Sequence, residues 1–312
     1  MIYTITLNPA VDRELIVPTI KFDKVLRASE LRVDLGGKGF NVSRMLISLG
    51  APSVAFGFAG GDSGKLLCKG LNSLGIDTDF IWIVGETRTN VSIVSTDQDR
   101  YVKVNEPGPT ILEHEQQALL AQVRKLAAKG DWWVLSGSLP PGVPANYYAQ
   151  IISLVKRAGG YAILDASGPA LRHGCEAGPL LVKPNDVEAH NLTGCPVNTI
   201  SEIASAAAEI QGLGVGNVVI SLGKKGAILV DDQQAWMLTS QDIVEGNPIG
   251  AGDSLVGGLV WGLDQGFTLP EALGWGIACG AATASQSGTA VGRRDQVEEL
   301  VKLVNITPLD NP

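Results

Sequence analysis

A short glycine-rich segment followed by a carboxylate is the strongest chemical signal in the chain. Gly250 and Gly252 flank Ala251, and Asp253 follows Gly252. Ser254 and then an apolar run over residues 255–261 come next. Glycine lets the backbone turn sharply and lets a ligand approach closely, and free N–H groups at a helix start attract anions. Asp253 would then accept a hydroxyl proton while a phosphoryl group rests on the amides. The pattern predicts a phosphoryl-transfer site, although an acidic helix start without a ligand would carry the same residues.

A second glycine cluster lies early in the chain, directly before a predicted helix. Residues 36–39 are Gly-Gly-Lys-Gly, and Asn41 follows two positions after Lys38. Backbone amides, a cation and an amide side chain together suit a polyhydroxy, anionic substrate. A simple strand–helix turn is the alternative interpretation of this segment.

Three common signatures are missing from the sequence. It has no Walker P-loop, no Gly-x-Gly-x-x-Gly after a strand and no Gly-x-Ser-x-Gly elbow. Their absence argues against P-loop enzymes, dinucleotide enzymes and α/β-hydrolases.

The composition limits the class of protein and its partners. The chain has 312 residues, of which 45% are apolar, enough for a large buried core. Its 24 basic and 32 acidic residues give a net charge of −8 with no basic stripe, which argues against nucleic acid or an anionic membrane as partner. Four widely spaced cysteines predict reduced thiols in a cytoplasmic protein, and three scattered histidines argue against a metal cluster. The charge-free stretch 272–292 is rich in small and polar residues, which indicates a buried helix rather than a membrane span.

Apolar β-branched runs alternate with segments of helical spacing over most of the length. Strands are predicted at 3–7, 53–58, 133–135, 161–164, 180–182 and 218–220. Helices are predicted at 41–49, 63–74, 113–128, 145–158 and 200–213. This alternation predicts an α/β fold with a mostly parallel sheet, helices on both faces and ligands at the carboxyl ends of the strands.

Two stretches depart from this alternation. Residues 13–35 and 81–105 lack helical spacing and alternate in polarity, which predicts antiparallel strands with a hairpin tip at residues 97–99. We expect them to form one small sheet, a lid over the site. The whole chain, 1–312, is then a single domain with this lid.

Taken in order, these motifs resemble those of the ribokinase-like carbohydrate kinases. Gly-Gly-Lys-Gly-x-Asn at 36–41 and Gly-Ala-Gly-Asp at 250–253 are the two family signatures. Connecting stretches resemble the phosphosugar branch, which includes 1-phosphofructokinases and tagatose-6-phosphate kinases; they lie at 6–12, 85–90, 136–140, 183–188 and 221–223. The resemblance runs from Ile2 to about Val304. It implies a three-layer α/β/α core with a mostly parallel sheet and a small β-sheet lid.

The resemblance also implies roles for residues at the catalytic and sugar sites. Asp253 is similar to the catalytic base, with Gly250, Ala251 and Gly252 as its anion hole. A carboxylate at a helix N-terminus is expected to have a lowered pKa. The implied substrate-binding residues are Asp12, Arg27, Gly37, Lys38, Asn41, Arg88, Asn90 and Ser138. Arg27 and Arg88 fall within the expected lid strands, and their guanidinium groups suit a phosphate; a surface salt bridge is the alternative for each.

On the nucleotide side, the resemblance implies binding of ATP with Mg²⁺. The implied residues are Lys183, Asn185, Ser221, Gly223, Gly226 and Gln286. Asn185 and Glu188 would hold the Mg²⁺, through water, because this ion keeps several waters; a helix-capping pair is the alternative. Ala278, Ala282 and Gln286 would line the adenine side, unless they belong to the core.

These expectations combine into one predicted activity. It is the ATP-dependent phosphorylation of a hydroxyl of a ketohexose monophosphate, with fructose 1-phosphate as the first choice. Tagatose 6-phosphate and fructose 6-phosphate are the alternatives, and Asn247-Pro248 is reminiscent of tagatose-6-phosphate kinases. A non-catalytic sugar-phosphate sensor and a nucleotide-binding oxidoreductase are the other classes considered. The exposed edges of the lid strands, together with the resemblance, predict a homodimer that pairs through them.

Overall fold

The computed structural model describes residues 1–98, 100–240, 248–286 and 290–309. In chain order its strands are β1 (Ile2–Thr6), β2 (Ala10–Val17), β3 (Glu30–Gly36), β4 (Val54–Gly60), β5 (Asp77–Ile83), β6 (Arg88–Ser95), β7 (Arg100–Asn105), β8 (Trp132–Ser136), β9 (Tyr161–Asp165), β10 (Leu181–Val182), β11 (Asn217–Ser221), β12 (Ala227–Val230), β13 (Ala235–Thr239) and β14 (Asn305–Leu309). Its α-helices are α1 (Lys38–Ser48), α2 (Gly61–Ser73), α3 (Glu113–Leu126), α4 (Tyr147–Arg157), α5 (Gly168–Glu176), α6 (Asp186–Thr193), α7 (Ile200–Gly212), α8 (Ala251–Asp264), α9 (Leu269–Ala284) and α10 (Arg294–Val301).

A large sheet forms the centre of the protein. Within the described ranges its strand order is β14-β13-β12-β11-β10-β9-β8-β1-β4-β5. All pairings from β11 to β5 are parallel, and β12, β13 and β14 extend the sheet in antiparallel fashion. The predicted parallel centre is therefore confirmed, whereas the antiparallel extension was not predicted.

Helices cover both faces of this sheet, because side chains of a strand alternate between its two faces. Trp133 and Leu135 of β8 belong to one apolar cluster, which α3, α4, α5 and α7 complete. Val134, between them, belongs to a second cluster that includes α1, α8, α9 and α10. The arrangement is the three-layer α/β/α core that the sequence predicts.

Four strands form a separate small sheet in the order β3-β2-β6-β7, the lid. One detail of the predicted lid is wrong. Residues 81–83 belong to β5, which pairs in parallel with β4 at the edge of the main sheet. An edge strand has one exposed face, so its polarity alternates as a lid strand's would; Trp82 is 52% exposed while Ile83 is buried. The predicted antiparallel pairing is confirmed within each stretch, for β2 with β3 and for β6 with β7. The two pairs join through a parallel pairing of β2 with β6, whose direction the sequence left open. Asp99, at the predicted hairpin tip, lies outside the described residues.

The charge-free stretch from residue 272 contributes to α9, which packs on α8. Most of the α9 side chains are buried, as predicted for a core helix. Among the described residues, none of the helices combines the length and the apolar character that crossing a bilayer requires.

Candidate active site

The predicted catalytic segment lies at the start of α8, beside the start of α1. Gly250 adopts φ 80°, a left-handed conformation that favours glycine, and it lies directly before Ala251, the first residue of α8. Asp253 follows in the first turn and is only 8% exposed. The Asn41 amide of α1 donates to Asp253 Oδ2 at 2.8 Å. Two predicted site residues, 212 positions apart in the sequence, therefore contact each other.

Asp165, which the sequence analysis missed, lies in the same place. It is the last residue of β9 and is 1% exposed. Lys38 Nζ donates to its Oδ1 at 3.2 Å, and Lys183 Nζ lies 3.5 Å from the same oxygen. Its position directly after the predicted strand 161–164 is the signal that could have identified it, because parallel strands place their carboxyl ends at the ligand edge.

Burial shifts the pKa of the candidate base in the direction opposite to the expected one. Desolvation, followed by repulsion from Asp165, raises the pKa of Asp253 to about 6, whereas the Asn41 hydrogen bond and the ammonium groups of Lys38 and Lys183 act in the opposite direction. The prediction of a lowered pKa is therefore wrong. The helix start favours the carboxylate, but removal from water costs more than the helix contributes.

The two lysines bring compensating positive charge. Burial lowers the pKa of the Lys38 ammonium, but the carboxylates of Asp165 and Asp253 outweigh this and raise it above its ordinary value. Lys183 is 5% exposed, and a Cβ added at Gly252 would lie 3.8 Å from its Nζ. Lys183 therefore lies next to the predicted anion hole.

One cavity, of about 330 Å³, opens on the substrate side. It is lined by Thr6, Asn8, Gly37, Lys38, Arg88, Gly137, Ser138, Ala166, Ser167 and Glu188. The Arg88 guanidinium is held at its wall by the backbone carbonyls of Asn8, at 2.9 and 3.2 Å, and Glu106, at 2.9 Å. Buried Thr6 Oγ1 and Asn8 Oδ1 have no hydrogen-bond partner among the described residues, so both are available to a polyhydroxy ligand.

Asp12 and Asn90 face each other in the lid, but neither is among the residues that line this cavity. Their strands pair in parallel register, and the Asn90 amide donates to Asp12 Oδ1 at 2.7 Å. A Cβ at Gly36 would lie 2.4 Å from Asp12 Oδ2, so glycine there makes room for the carboxylate. Arg27 lies exposed in the loop between β2 and β3, not in a lid strand, and does not line the cavity either.

A second cavity, of about 370 Å³, opens on the other side of the α8 start. Polar groups at Asn185 and Ser221 and backbone at Gly223 and Gly252 form part of its lining. Apolar side chains contribute as well; they include Leu255, Ile277, Ala281 and Ala284. The predicted Gly226 also lines it: its φ is +97°, and a Cβ there would lie 1.9 Å from the Leu238 carbonyl oxygen. Pro248 reaches this cavity, whereas Asn247 lies outside the described residues.

The sequence analysis assigned the wrong face of α9 to this cavity, by one position. Ala278 and Ala282 are fully buried in the core, and Gln286 donates from Nε2 to Gln296 Oε1 at 3.0 Å. Ile277 and Ala281 line the cavity instead. One residue rotates a helical side chain by about 100°, so a one-residue offset exchanges the cavity face for the core face.

Comparison with known proteins identifies the family of this site. A family model described as "pfkB family carbohydrate kinase" matches residues 3–295. The chain belongs to this family. It is therefore a carbohydrate kinase, an enzyme that transfers a phosphoryl group to a sugar hydroxyl, and the predicted membership is confirmed.

Individual kinases of the family are similar over almost the whole chain. A 1-phosphofructokinase of Vibrio cholerae is 34% identical, over 99% of this chain and 97% of that protein. A tagatose-6-phosphate kinase of Staphylococcus epidermidis is also 34% identical, over 98% and 99%. The crystal structure of phosphofructokinase-2 from Escherichia coli in complex with potassium is 32% identical, with a TM-score of 0.92 over 96% of this chain and 98% of that one. The structural similarity confirms the predicted ribokinase-like fold.

The kinase carries the predicted Asn185–Glu188 pair as a reciprocal helix cap. Asn185 Oδ1 accepts from the Glu188 N–H at 2.8 Å, and Glu188 Oε2 accepts from the Asn185 N–H at 2.9 Å. The capping interpretation is thus correct. The cap is compatible with a metal role, because Asn185 lines one of the two cavities and Glu188 lines the other. Amide and carboxylate oxygens suit a Mg²⁺ that keeps several waters. Within the described residues, no group of three or more His, Cys, Asp or Glu side chains forms a metal cluster.

The raised pKa of Asp253 predicts a pH limit for this kinase. A base must be ionised to accept a proton, so kcat/KM is expected to fall as the pH drops through about 6. A full pH profile of kcat/KM measures this decrease at low pH, the acid limb of the profile, in the free enzyme. An acid limb at the ordinary aspartate pKa, near about 4, would contradict the raised value.

Proposed function

We propose that the chain is an ATP- and Mg²⁺-dependent sugar-phosphate kinase, with fructose 1-phosphate as acceptor through its 6-hydroxyl. One observation supports the proposal: Asp253 is buried in the first turn of α8, directly after Gly252 of one cavity, and its carboxylate interacts with Lys38 of the other cavity and with Lys183. A phosphoryl donor in one cavity and an alcohol in the other would have this base between them. The family supports ATP as the donor, usually with Mg²⁺.

The proposed chemistry is an in-line phosphoryl transfer. Asp253 accepts the proton of the sugar hydroxyl, and Asn41 orients the carboxylate through its 2.8 Å hydrogen bond. The amides of residues 250–252 and the ammonium groups of Lys38 and Lys183 offset the negative charge of the transferring group. Asn185 and Glu188 would hold Mg²⁺ through water, and the ion would supply positive charge to neutralise the phosphates.

A phosphorylated acceptor explains a positive charge at the substrate cavity. Lys38 and Arg88 contribute cations to its lining, and Arg88 is held rigidly by two backbone carbonyls. A planar guanidinium binds phosphate well, and because Lys38 already has Asp165 as its ion-pair partner, Arg88 is the cation that a phosphorylated acceptor explains. Asp12, Asn90 and Ser138 would bind the sugar hydroxyls.

The choice between ketohexose phosphates rests on a single hydroxyl configuration. The 1-phosphofructokinase and tagatose-6-phosphate kinase relatives are equally identical to the chain, so tagatose 6-phosphate remains the alternative, with fructose 6-phosphate after it. The test is ADP release from Mg-ATP with fructose 1-phosphate, tagatose 6-phosphate, fructose 6-phosphate and free fructose. We expect the highest kcat/KM with fructose 1-phosphate. Tight sugar-phosphate binding without ADP release would indicate a sensor and refute the proposal.

We further propose that the lid mediates a homodimer. Cross-strand neighbours Leu31, Leu15, Ile93 and Val102 form an apolar row across all four lid strands. Leu31 and Val102, at its two ends, are 53% and 40% exposed. An apolar sheet face with exposed edge strands calls for a cover, and a second copy of the same lid provides a matching one.

Light scattering tests this assembly at working concentration. The wild-type protein is expected to show twice the mass of the chain, and Leu31→Lys with Val102→Lys to show the mass of one chain, because buried ammonium groups oppose association. Ile200→Lys, which changes an equally exposed apolar residue at the start of α7, is the control and should stay dimeric. A wild-type monomer would contradict the proposal.

A further inference from the structure

One buried carboxylate outside the proposed chemical step connects the two halves of the active site. Asp165 ends β9 and is 1% exposed, and its Oδ1 is within 3.5 Å of two ammonium groups. Lys38, from the start of α1, lines the substrate cavity. Lys183, which follows β10, does not itself line the second cavity but lies next to Gly252, which does. A single oxygen atom therefore holds one lysine of the substrate cavity and one lysine next to the predicted anion hole.

The burial of Asp165 and Lys183 makes their mutual placement strict, whereas the Lys38 side chain is 42% exposed. An ammonium group with few solvent contacts needs a hydrogen-bonded counter-charge, because its desolvation is costly. Lys183 is 5% exposed, and Asp165 is its ion-pair partner in the described part of the chain. Without that carboxylate, the flexible lysine side chain would have no fixed position next to the anion hole.

We propose that Asp165 is a positioning residue for phosphoryl transfer, which holds Lys38 and Lys183 in place beside the Asp253 carboxylate. The inference rests on the function proposed above and assigns Asp165 no contact with the substrates. Preorganised cations stabilise the charge of the transferring group without reorganisation during the reaction. Asp165 therefore acts on the rate through the two lysines.

The same geometry couples Asp165 to the protonation of the base. The charged and polar groups facing Asp253 are Asp165 from β9, Lys38 and Asn41 from α1, and Lys183 after β10. Asp165 disfavours the ionised base, and the other three favour it. Removal of the Asp165 charge consequently lowers the pKa of Asp253 by loss of repulsion.

Asp165→Asn tests the inference, since it keeps the shape and removes the charge. We expect kcat to fall about tenfold or more, and the acid limb of kcat/KM to move to lower pH by about one pH unit. Asp165→Glu, which restores a carboxylate, should return the limb towards its wild-type position even if its longer side chain slows turnover. Asp131→Asn is the control: Asp131 also holds an ammonium group, that of the N-terminus, before the first residue of β8 and thus at the opposite end of the sheet.

A second pair of variants covers the case in which Asp165→Asn does not fold. Lys183→Met should move the acid limb to higher pH, because a cation that favours ionised Asp253 is lost. Lys183→Met combined with Asp165→Asn removes one cation together with its counter-charge, and its limb should lie below that of Lys183→Met alone.

Three outcomes separate the possible failures. An acid limb that neither Asp165→Asn nor the double variant moves would overturn the inference and reduce Asp165 to a support of the fold. A rate loss that excess Mg²⁺ restores, with the limb unmoved, would overturn it in favour of a metal role. Lack of turnover by the wild-type enzyme on every phosphosugar would refute the proposed function itself, whereas wild-type turnover leaves the inference to be judged by the limb alone.

Discussion

Asp253→Asn is expected to lower kcat by about 10²-fold or more, while the fold stays intact. The substitution keeps the shape and a hydrogen bond with Asn41 but removes the proton acceptor. Because burial and Asp165 disfavour the charged form of Asp253, loss of this charge should not reduce the melting temperature. Steady-state kinetics with Mg-ATP and the preferred phosphosugar measure the first effect, and thermal unfolding measures the second.

The matched control for this variant lies on the same helix. Asp264→Asn changes an exposed carboxylate at the last residue of α8 and should leave kcat within about twofold of the wild type. Asp253→Ala should behave like Asp253→Asn in turnover. A variant of Asp253 that retains near-normal kcat would refute the assignment of Asp253 as the general base.

Arg88→Ala is expected to raise the KM for the phosphosugar by about 10²-fold, with little change in the KM for ATP. The guanidinium lines the substrate cavity and not the nucleotide cavity, so its loss removes a charge-assisted contact on one side only. Arg88→Lys keeps the charge but loses the planar fork, and its KM should fall between the two.

Arg100→Ala serves as the control for Arg88→Ala in the same sheet. Arg100 is the exposed first residue of β7, and its removal should leave both KM values unchanged. Arg88 also holds the carbonyls of Asn8 and Glu106, so thermal unfolding must accompany the kinetics. Equal losses of affinity for ATP and phosphosugar would refute a role in phosphate binding.

The sequence alone determined the fold class and most of the candidate site. Strand–helix alternation has a short-range physical origin in side-chain periodicity, so it predicted the parallel sheet and both helical layers. The same alternation places strand ends at one edge, and Ser221 and Gly223, which the family resemblance indicated, line a cavity there. Glycines at 37, 250 and 252 were informative because missing side chains at a helix start have few other purposes.

Only the tertiary structure decided the features that depend on distant residues. The Asn41–Asp253 contact, the two ion pairs of Asp165 and the raised pKa of Asp253 all arise from burial by elements far apart in the sequence. Residues 81–83 and the cavity face of α9 were misplaced for a related reason. An edge strand of the main sheet and a lid strand share one polarity pattern. A helix made mostly of small residues carries no periodic signal to show which side faces a ligand.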